Sequence, residues 1–404
     1  MLLATLSILL ALAYAALLTA YRWGWRALPE GQLPEGFQPR SSISVLIPAR
    51  NEAANIGACL WSILDGSFPK NLLEVIVIDD FSEDGTWEVA RGELQVASGG
   101  GQVAGGKLQV ASDKWQVARV LRLADHLPPE ARFCSNKKKA IELGVACAKG
   151  DIIVTTDADC VAPKDWLMLI AAHFDPTPTA TCRRMLCAPV AFHREKNLLQ
   201  KFQSLDFLGL MGITGAGAQL GWHRMANGAN LAYRRQVFEA VGGYAGNEHL
   251  ASGDDMFLVQ KVAARWPGSV AFLKSREAAV LTEAAPDWRA FWQQRLRWGT
   301  KNAALPSWPM RGSLLTVFLF CWSIWGHLAF ALAGIFSWQI FLFQIGTKAA
   351  FDFFFLSEMC RFFKRPDLLR WFLPSFLLHT AYIPIVGTAS IFFKKYTWKG
   401  RLTK

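Results

Sequence analysis

Asp157 and Asp159 stand two residues apart, just where a short β-prone run over residues 152–155 gives out. Side chains at i and i+2 share one face of an extended chain, so both carboxylates can aim at one point. Two carboxylates that close repel each other unless a cation or a donor-rich ligand lies between them. Hard oxygen ligands with room for phosphate oxygens suit Mg²⁺ or Mn²⁺. A solvated Asp-x-Asp turn would use the same residues, because turns favour Asp. The meaning of the pair therefore depends on what else the chain brings to it. Asp79-Asp80 closes a second apolar run, and Asp254-Asp255 follows Ser252-Gly253. The Asp254-Asp255 pair can cap a helix over residues 256–264. Lys137-Lys138-Lys139 supplies positive charge.

The elements that must position these groups alternate. Strands are expected at 43–47, 73–78, 119–123 and 152–155, with helices at 53–64, from 86, and at 138–148 between them. This β-α-β-α-β-α-β order predicts an α/β fold with a mainly parallel sheet, and ligands at the strands' carboxyl ends. Both acidic strand ends then lie on one edge. Within the series, Gln-Val-Ala recurs from Gln95, Gln102, Gln109 and Gln116. Adjacent Val-Ala makes no spaced a/d seam and glycines interrupt the period, so 92–118 reads as a surface insertion, flexible or a loose hairpin. The glycine-rich stretch 215–221 has the wrong spacing for a dinucleotide loop and reads as a flexible lid or acceptor-side loop. His173, His193, His223 and His249 lack metal-ligand spacing.

The chain has 404 residues, 52% of them hydrophobic, and a net charge of +11. Its mean hydropathy of +0.20 is too apolar for a purely soluble protein. Residues 2–20 form an uncharged apolar run long enough to cross a bilayer. A cleaved signal peptide is the rival, but no basic segment precedes the run, and an interfacial belt from Tyr21 to Arg26 follows it. The positive-inside rule then places the central domain in the cytoplasm, at an inner membrane. Apolar segments return at 313–338, 340–356 (with Lys348 and Asp352) and 371–393. Pro374 and Pro384 are expected to break the last into a re-entrant hairpin, which would keep the basic tail 394–401 inside. Basic residues beside apolar runs fit an anionic membrane surface, and no nucleic-acid motif accompanies them. Eight scattered cysteines without a C-x-x-C pair point to neither zinc nor a disulfide scaffold.

Taken together, several stretches resemble family-2 glycosyltransferases of GT-A fold. They are Val45 to Glu52, Val77 to Thr86 and Lys137 to Ile141, then Asp157-Ala158-Asp159, Ser252 to Asp255, and Gln294-Arg295-Leu296-Arg297-Trp298, which fits Q-x-x-R-W. The resemblance covers about 42–300. It implies a Rossmann-like mixed sheet, flanked here by N- and C-terminal transmembrane helices: a helix at 1–22, a linker at 23–41, the transferase domain at 42–300, a linker at 301–312 and a membrane region at 313–404. It further implies a UDP-linked sugar donor with its uracil against Pro48, Asn51 and Glu52. Asp80 would accept the imide N–H, with Asp79 beside it, and Lys137 would serve the diphosphate although Asn136 replaces the usual glycine. Asp157 would face ribose or sugar, Asp159 would bind Mg²⁺ or Mn²⁺, and Asp255 would be the catalytic base. Asp254-Asp255 stands where the family more often has Glu-Asp, which keeps both carboxylates as candidates. Gln294, Arg297 and Trp298 would serve diphosphate and acceptor, although an interfacial Trp/Arg helix with Trp288, Trp292 and Arg295 has the same residues. Lys138 and Lys139 read as solvated bystanders.

The expected activity is a membrane-anchored, metal-dependent inverting transfer of a hexose from a nucleotide sugar to a lipid or glycan acceptor. A processive polysaccharide synthase is the alternative, and a non-catalytic membrane scaffold the third reading.

Overall fold

The computed structural model describes residues 2–97, 103–104, 107–108, 117–127, 136–175, 183–246, 253–302, 307–335, 337–392, 396–398 and 401–403. His249 and Ser252 lie outside them. In chain order the elements are α1 (Leu2–Ala27), β1 (Ile43–Ala49), α2 (Ile56–Leu64), β2 (Leu73–Asp79), α3 (Thr86–Ala97), β3 (Val103–Ala104), β4 (Lys107–Leu108), β5 (Val117–Arg122), α4 (Asn136–Cys147), β6 (Ile152–Thr155), α5 (Trp166–Phe174) and β7 (Met185–Cys187). There follow β8 (Val190–His193), α6 (Leu198–Gln219), β9 (Leu231–Arg234), α7 (Arg235–Ala240), α8 (Asp254–Arg265), β10 (Val270–Phe272), β11 (Val280–Glu283), α9 (Trp288–Asn302), α10 (Trp308–Leu332), α11 (Trp338–Phe362) and α12 (Phe372–Phe392). They divide into two compact units.

One unit comprises Pro29–Ala191 and Arg224–Glu283 with the last residues. Its sheet runs β10-β7-β9-β6-β1-β2-β5-β4-β3. Strands β6, β1, β2 and β5 are parallel, as are β10 and β7, while β9 runs antiparallel between β6 and β7. The mixed, mainly parallel α/β sheet is thus the expected one. All seven residues of β2 are buried. A parallel strand covered on both faces reads as a continuous apolar run for this reason. The register pairs Ala49 with Asp79, so the loops after β1 and β2 start side by side. The insertion begins as helix, since α3 continues to Ala97. Farther on, β3 and β4 pair as a short hairpin that extends the sheet beyond β5. Val117 and Ala118 open β5, and the remainder of 92–118 lies outside the described residues.

The other unit comprises Met1–Leu28, Phe192–His223 and Ala284–Trp398. Four of its stretches, Leu3–Ala27, Trp308–Leu332, Trp338–Phe362 and Pro366–Phe392, are long and apolar enough to cross a membrane. The hairpin expected from Pro374 and Pro384 does not form: α12 is one helix. Pro374 falls in the first turn, where N–H groups lack helical partners anyway. Pro384 removes the N–H that would bond the Thr380 carbonyl, and that carbonyl instead accepts Trp325 Nε1–H at 3.0 Å. The polar pair expected in the third apolar segment is present, with Lys348 Nζ 2.5 Å from Asp352 Oδ2.

The flexible lid expected at 215–221 is also corrected, because residues 215–219 complete α6. Small residues there let neighbours approach closely. A Cβ on Gly217 would lie 2.0 Å from the His223 ring, and one on Gly212 2.3 Å from Met359 Sδ. His223 is 3% exposed, with Nε2 2.9 Å from the Tyr21 hydroxyl. Burial pulls its pKa down to about 4. A depressed histidine leaves full stability above the unfolded value of about 6.5, and stability is lost as pH falls from there toward the folded value. The loss is on the order of 3 kcal/mol. Melting measured at pH 7.5 and 4.5 should therefore fall more steeply for the wild type than for His223→Gln. Equal slopes would show that the folded protein protonates His223 as readily as the unfolded chain does, so that burial does not depress its pKa.

Candidate active site

The loop after β1 is tied to the loop after β2. Asn51 takes a left-handed backbone (φ 52°). Its N–H donates to Ser82 Oγ at 3.1 Å, and its Oδ1 accepts the Glu83 N–H at 2.9 Å. The Glu52 N–H donates to Thr86 Oγ1 at 2.8 Å. Helix α2 starts only at Ile56, where the Glu52 carbonyl accepts the Asn55 and Ile56 N–H groups. Asn51 and Glu52 therefore shape an inter-loop clamp next to Pro48, the penultimate residue of β1.

Asp79 ends β2 and is 6% exposed. Its Oδ2 accepts the Ser82 N–H at 3.4 Å, and its buried Oδ1 has no hydrogen-bond partner among the described residues. The Asp80 N–H donates to the Ala49 carbonyl at 2.8 Å, and Asp80 Oδ1 accepts Asn136 Nδ2 at 2.8 Å. Asn136 opens α4, and the next residue carries the charge: Lys137 Nζ is 2.5 Å from Asp157 Oδ1. Burial of the ammonium opposes its charge, yet Asp157, Asp254 and Asp255 outweigh that and hold its pKa above the ordinary lysine value. Lys138 is not the solvated bystander expected, being 2% exposed. It shares the i, i+3, i+7 face of α4 with Ile141 and Val145, which pack inward. Lys139 pairs instead with Glu142 at 2.7 Å.

Asp157 and Asp159 meet different partners. Asp159 Oδ2 accepts the Thr282 hydroxyl at 3.2 Å, with Cys160 Sγ 3.7 Å from its Oδ1. A second loop, which the sequence reading missed, completes the arrangement. Thr155 Oγ1 donates to the Gly228 carbonyl at 2.8 Å, and the Gly228 N–H donates to Asp255 Oδ2 at 3.0 Å. A Cβ on Gly228 would lie 3.7 Å from Lys137 Nζ and 3.9 Å from Asp255 Oδ2. Asn230 fastens this loop, accepting Trp166 Nε1 at 2.9 Å and donating to the carbonyls of Pro189 and Ala278 at 2.7 and 2.8 Å. The Asn227-Gly228 turn dipeptide was the available signal. Asp254 and Asp255 occupy the first turn of α8 behind Gly253, whose φ of 90° suits glycine. The helix-start reading and the acidic-site reading thus describe the same residues. Lys137, Asp157, Gly228 and Asp255 come together from four separate stretches of chain.

The donor set is hard. Burial, then the Asp157 and Asp159 charges, raises the Cys59 and Cys160 thiols; burial and then Asp255 push Cys187 up to about 12. Soft thiolates are therefore absent at neutral pH, and carboxylate oxygens remain. No group of three or more His, Cys, Asp or Glu that could hold a metal exists among the described residues. The Asp157 and Asp159 carboxylates are hard oxygen donors of the type Mg²⁺ or Mn²⁺ takes, one or two at a time, with phosphate and water completing its shell.

Gln294, Arg297 and Trp298 lie on α9, in the other unit. Within that unit the Trp298 ring sits 5.9 Å from Phe207, with the Arg295 guanidinium 4.5 Å over it. Arg295, which an interfacial helix would leave at the surface, is 3% exposed and pairs with Asp206 at 2.8 Å. Tyr382 donates to the same carboxylate at 3.2 Å.

A family model described as "Glycosyltransferase like family 2" matches residues 39–301. "Probable glycosyltransferase YdaM" of Bacillus subtilis is 26% identical over 274 residues, 66% of this chain and 57% of that protein. "Beta-monoglucosyldiacylglycerol synthase" of Synechocystis is 26% identical over 263 residues, 64% of this chain and 47% of the relative. The chain thus spans about half the length of these curated relatives. Among solved structures, mannosyltransferase PcManGT from Pyrobaculum calidifontis, in complex with GDP-Man and Mn²⁺, is 20% identical with a TM-score of 0.52. The match covers 95% of this chain and 99% of that one, and establishes likeness of fold.

Proposed function

The chain belongs to glycosyltransferase family 2, and on that footing we propose a membrane-anchored inverting enzyme that moves a sugar from a UDP-linked donor to a lipid or membrane-proximal acceptor. The observation that carries the catalytic part is the meeting of Lys137, Asp157, Gly228 and Asp255. Asp255 takes the proton of the acceptor hydroxyl as that oxygen attacks the anomeric carbon. The bond from that carbon to the diphosphate oxygen breaks, and the configuration inverts. The Gly228 N–H holds the Asp255 carboxylate in place, and Asp254 is the substitute if the neighbouring carboxylate serves. Lys137, kept protonated by its acidic neighbours, offers its charge to the diphosphate, and Asp157 orients it. Asp159, steadied by Thr282, would hold Mg²⁺ or Mn²⁺, which when bound supplies charge neutralisation for the leaving diphosphate. Pro48, Asn51, Glu52, Asp79 and Asp80 form the nucleoside end. The roles of Gln294, Arg297 and Trp298 toward diphosphate and acceptor rest on the motif resemblance.

The membrane part rests on four apolar helices, and the positive-inside rule puts the catalytic unit on the cytoplasmic side of an inner membrane. A relative whose name specifies a glucosyldiacylglycerol product favours a lipid acceptor. The Q-x-x-R-W pattern on α9 favours a second reading, a processive polysaccharide synthase. Membranes containing the protein, incubated with labelled UDP-sugars and Mn²⁺, separate these readings. A lipid-soluble product supports single transfer, and an insoluble polymer supports the synthase. No product with any UDP- or GDP-sugar would leave only the non-catalytic scaffold.

A further inference from the structure

Asp206 on α6 and Arg295 on α9 form an ion pair inside the unit that carries the apolar helices. Their side chains are 7% and 3% exposed, with Arg295 Nη2 2.8 Å from Asp206 Oδ2. Helix α12 adds to the pair: the Tyr382 hydroxyl donates to Asp206 Oδ1 at 3.2 Å, and His379 Nε2 is 3.8 Å from the same oxygen. From His379 the polar contacts run on. Its Nδ1 is 3.2 Å from Lys348 Nζ on α11, Lys348 pairs with Asp352, and Asp352 accepts the hydroxyl of Tyr14 on α1. Two cations and two carboxylates thus alternate along one string through α9, α6, α12, α11 and α1.

Stability does not account for the buried pair. Removing two charges from water costs about what their attraction returns, and apolar side chains of similar volume serve stability as well or better. Ionisable groups among membrane helices mark function instead. What the pair does supply is direction, because a guanidinium is planar and always charged. The Arg295 guanidinium lies 4.5 Å over the Trp298 ring and 5.1 Å over that of Phe291. Phe207, the residue after Asp206, stands 5.9 Å from the same Trp298 ring. The ion pair and the ring contact therefore fix α9 on α6 at neighbouring points. Farther along, a Cβ on Gly299 would lie 2.9 Å from the Ser390 Cβ on α12, so α9 has little room to shift there. We propose that Asp206 is a positioning residue: through Arg295 it sets the rotation of α9, and with it the Trp298 ring, for the membrane-proximal acceptor. The role presupposes the transferase reading above and its assignment of Trp298 to the acceptor.

The test uses the full chain in detergent and three measurements: melting, UDP affinity with Mn²⁺, and transfer from labelled UDP-sugars to lipid extracted from its own membranes. Asp206→Asn leaves the Arg295 charge buried without its counter-ion, so it should melt lower and transfer poorly. The triple variant Asp206→Leu, Arg295→Met, Tyr382→Phe replaces the whole polar group with apolar side chains. It should melt at or above the wild type and bind UDP equally well. Its kcat/KM for the lipid extract should nevertheless fall by about 10²-fold, the scale of misplacing a group by roughly 1 Å. The KM for the UDP-sugar should not change. Wild-type transfer in the triple variant would overturn the proposal. So would a triple variant that melts below the wild type, because the pair would then serve the fold. A wild type that yields no lipid product with any UDP- or GDP-sugar would overturn the transferase reading itself, and this inference with it.

Discussion

Asp255→Asn should lower sugar transfer by about 10²–10⁴-fold while leaving UDP binding unchanged, the range that a positioned general base supplies. Asparagine has the same shape, and its amide oxygen can still accept the Gly228 N–H that Asp255 Oδ2 accepts at 3.0 Å. The loop should therefore stay folded; besides proton acceptance, the variant loses the Met256 N–H bond that Asp255 Oδ1 accepts at 2.8 Å, because an amide nitrogen cannot accept. The loss should fall on kcat, because the base acts on the acceptor proton in the transition state and makes no ground-state contact with the nucleotide. Asp254→Asn is the control. If transfer survives in Asp255→Asn and collapses in Asp254→Asn, the base is the neighbouring carboxylate. If both variants retain transfer, neither residue takes the proton. The glycine itself is informative: a side chain on Gly228 would meet both Lys137 Nζ at 3.7 Å and Asp255 Oδ2 at 3.9 Å, so Gly228→Val should impair donor binding and transfer together.

The second large effect is expected at Asp159. With few protein ligands available, Mn²⁺ alone should bind weakly and UDP should bind much more tightly in its presence, because the diphosphate completes the shell. Calorimetry of Mn²⁺ with and without UDP measures that coupling directly. Asp159→Ala should abolish it and lower transfer by about 10²–10³-fold, the scale of losing one preorganised electrostatic partner. Thr282→Val, which removes the hydroxyl donating to Asp159 Oδ2 at 3.2 Å, should weaken the coupling less, because the ligand remains and only its orientation is freed. Full transfer in EDTA would refute the metal assignment and leave Lys137 as the diphosphate's main counter-charge.

Much of the catalytic unit was legible because its signals are local. The buried strands β1, β2 and β6 announce themselves as apolar runs, and each acidic end sits where its run stops. Helix boundaries were read less well. Helix α2 begins at Ile56 because Asn51 to Ala53 are bound to the next loop, and α3 runs on to Ala97 in the repeat-rich stretch. Two errors share one cause. Residues 215–219 and Pro384 run against intrinsic helix propensity, yet α6 uses its glycines for close approach, and the carbonyl freed by Pro384 finds Trp325 from another helix. Tertiary partners outweighed local preference in both places.

By itself the sequence determined the parallel α/β order and the apolar helices at both ends, and it supplied the acidic and basic residues proposed for a transferase site. These follow from periodicity, strand ends and motif order, which are properties of neighbouring residues. Only the tertiary structure decided which of those residues meet. It joined Lys137 to Asp157, set Gly228 against Asp255, gave Asp159 to Thr282, and buried Lys138. The reason is geometric: crossover connections return each strand's carboxyl end to one edge, and Asp157 and Asp255 come to share Lys137 as a neighbour through a sheet order that no local pattern encodes.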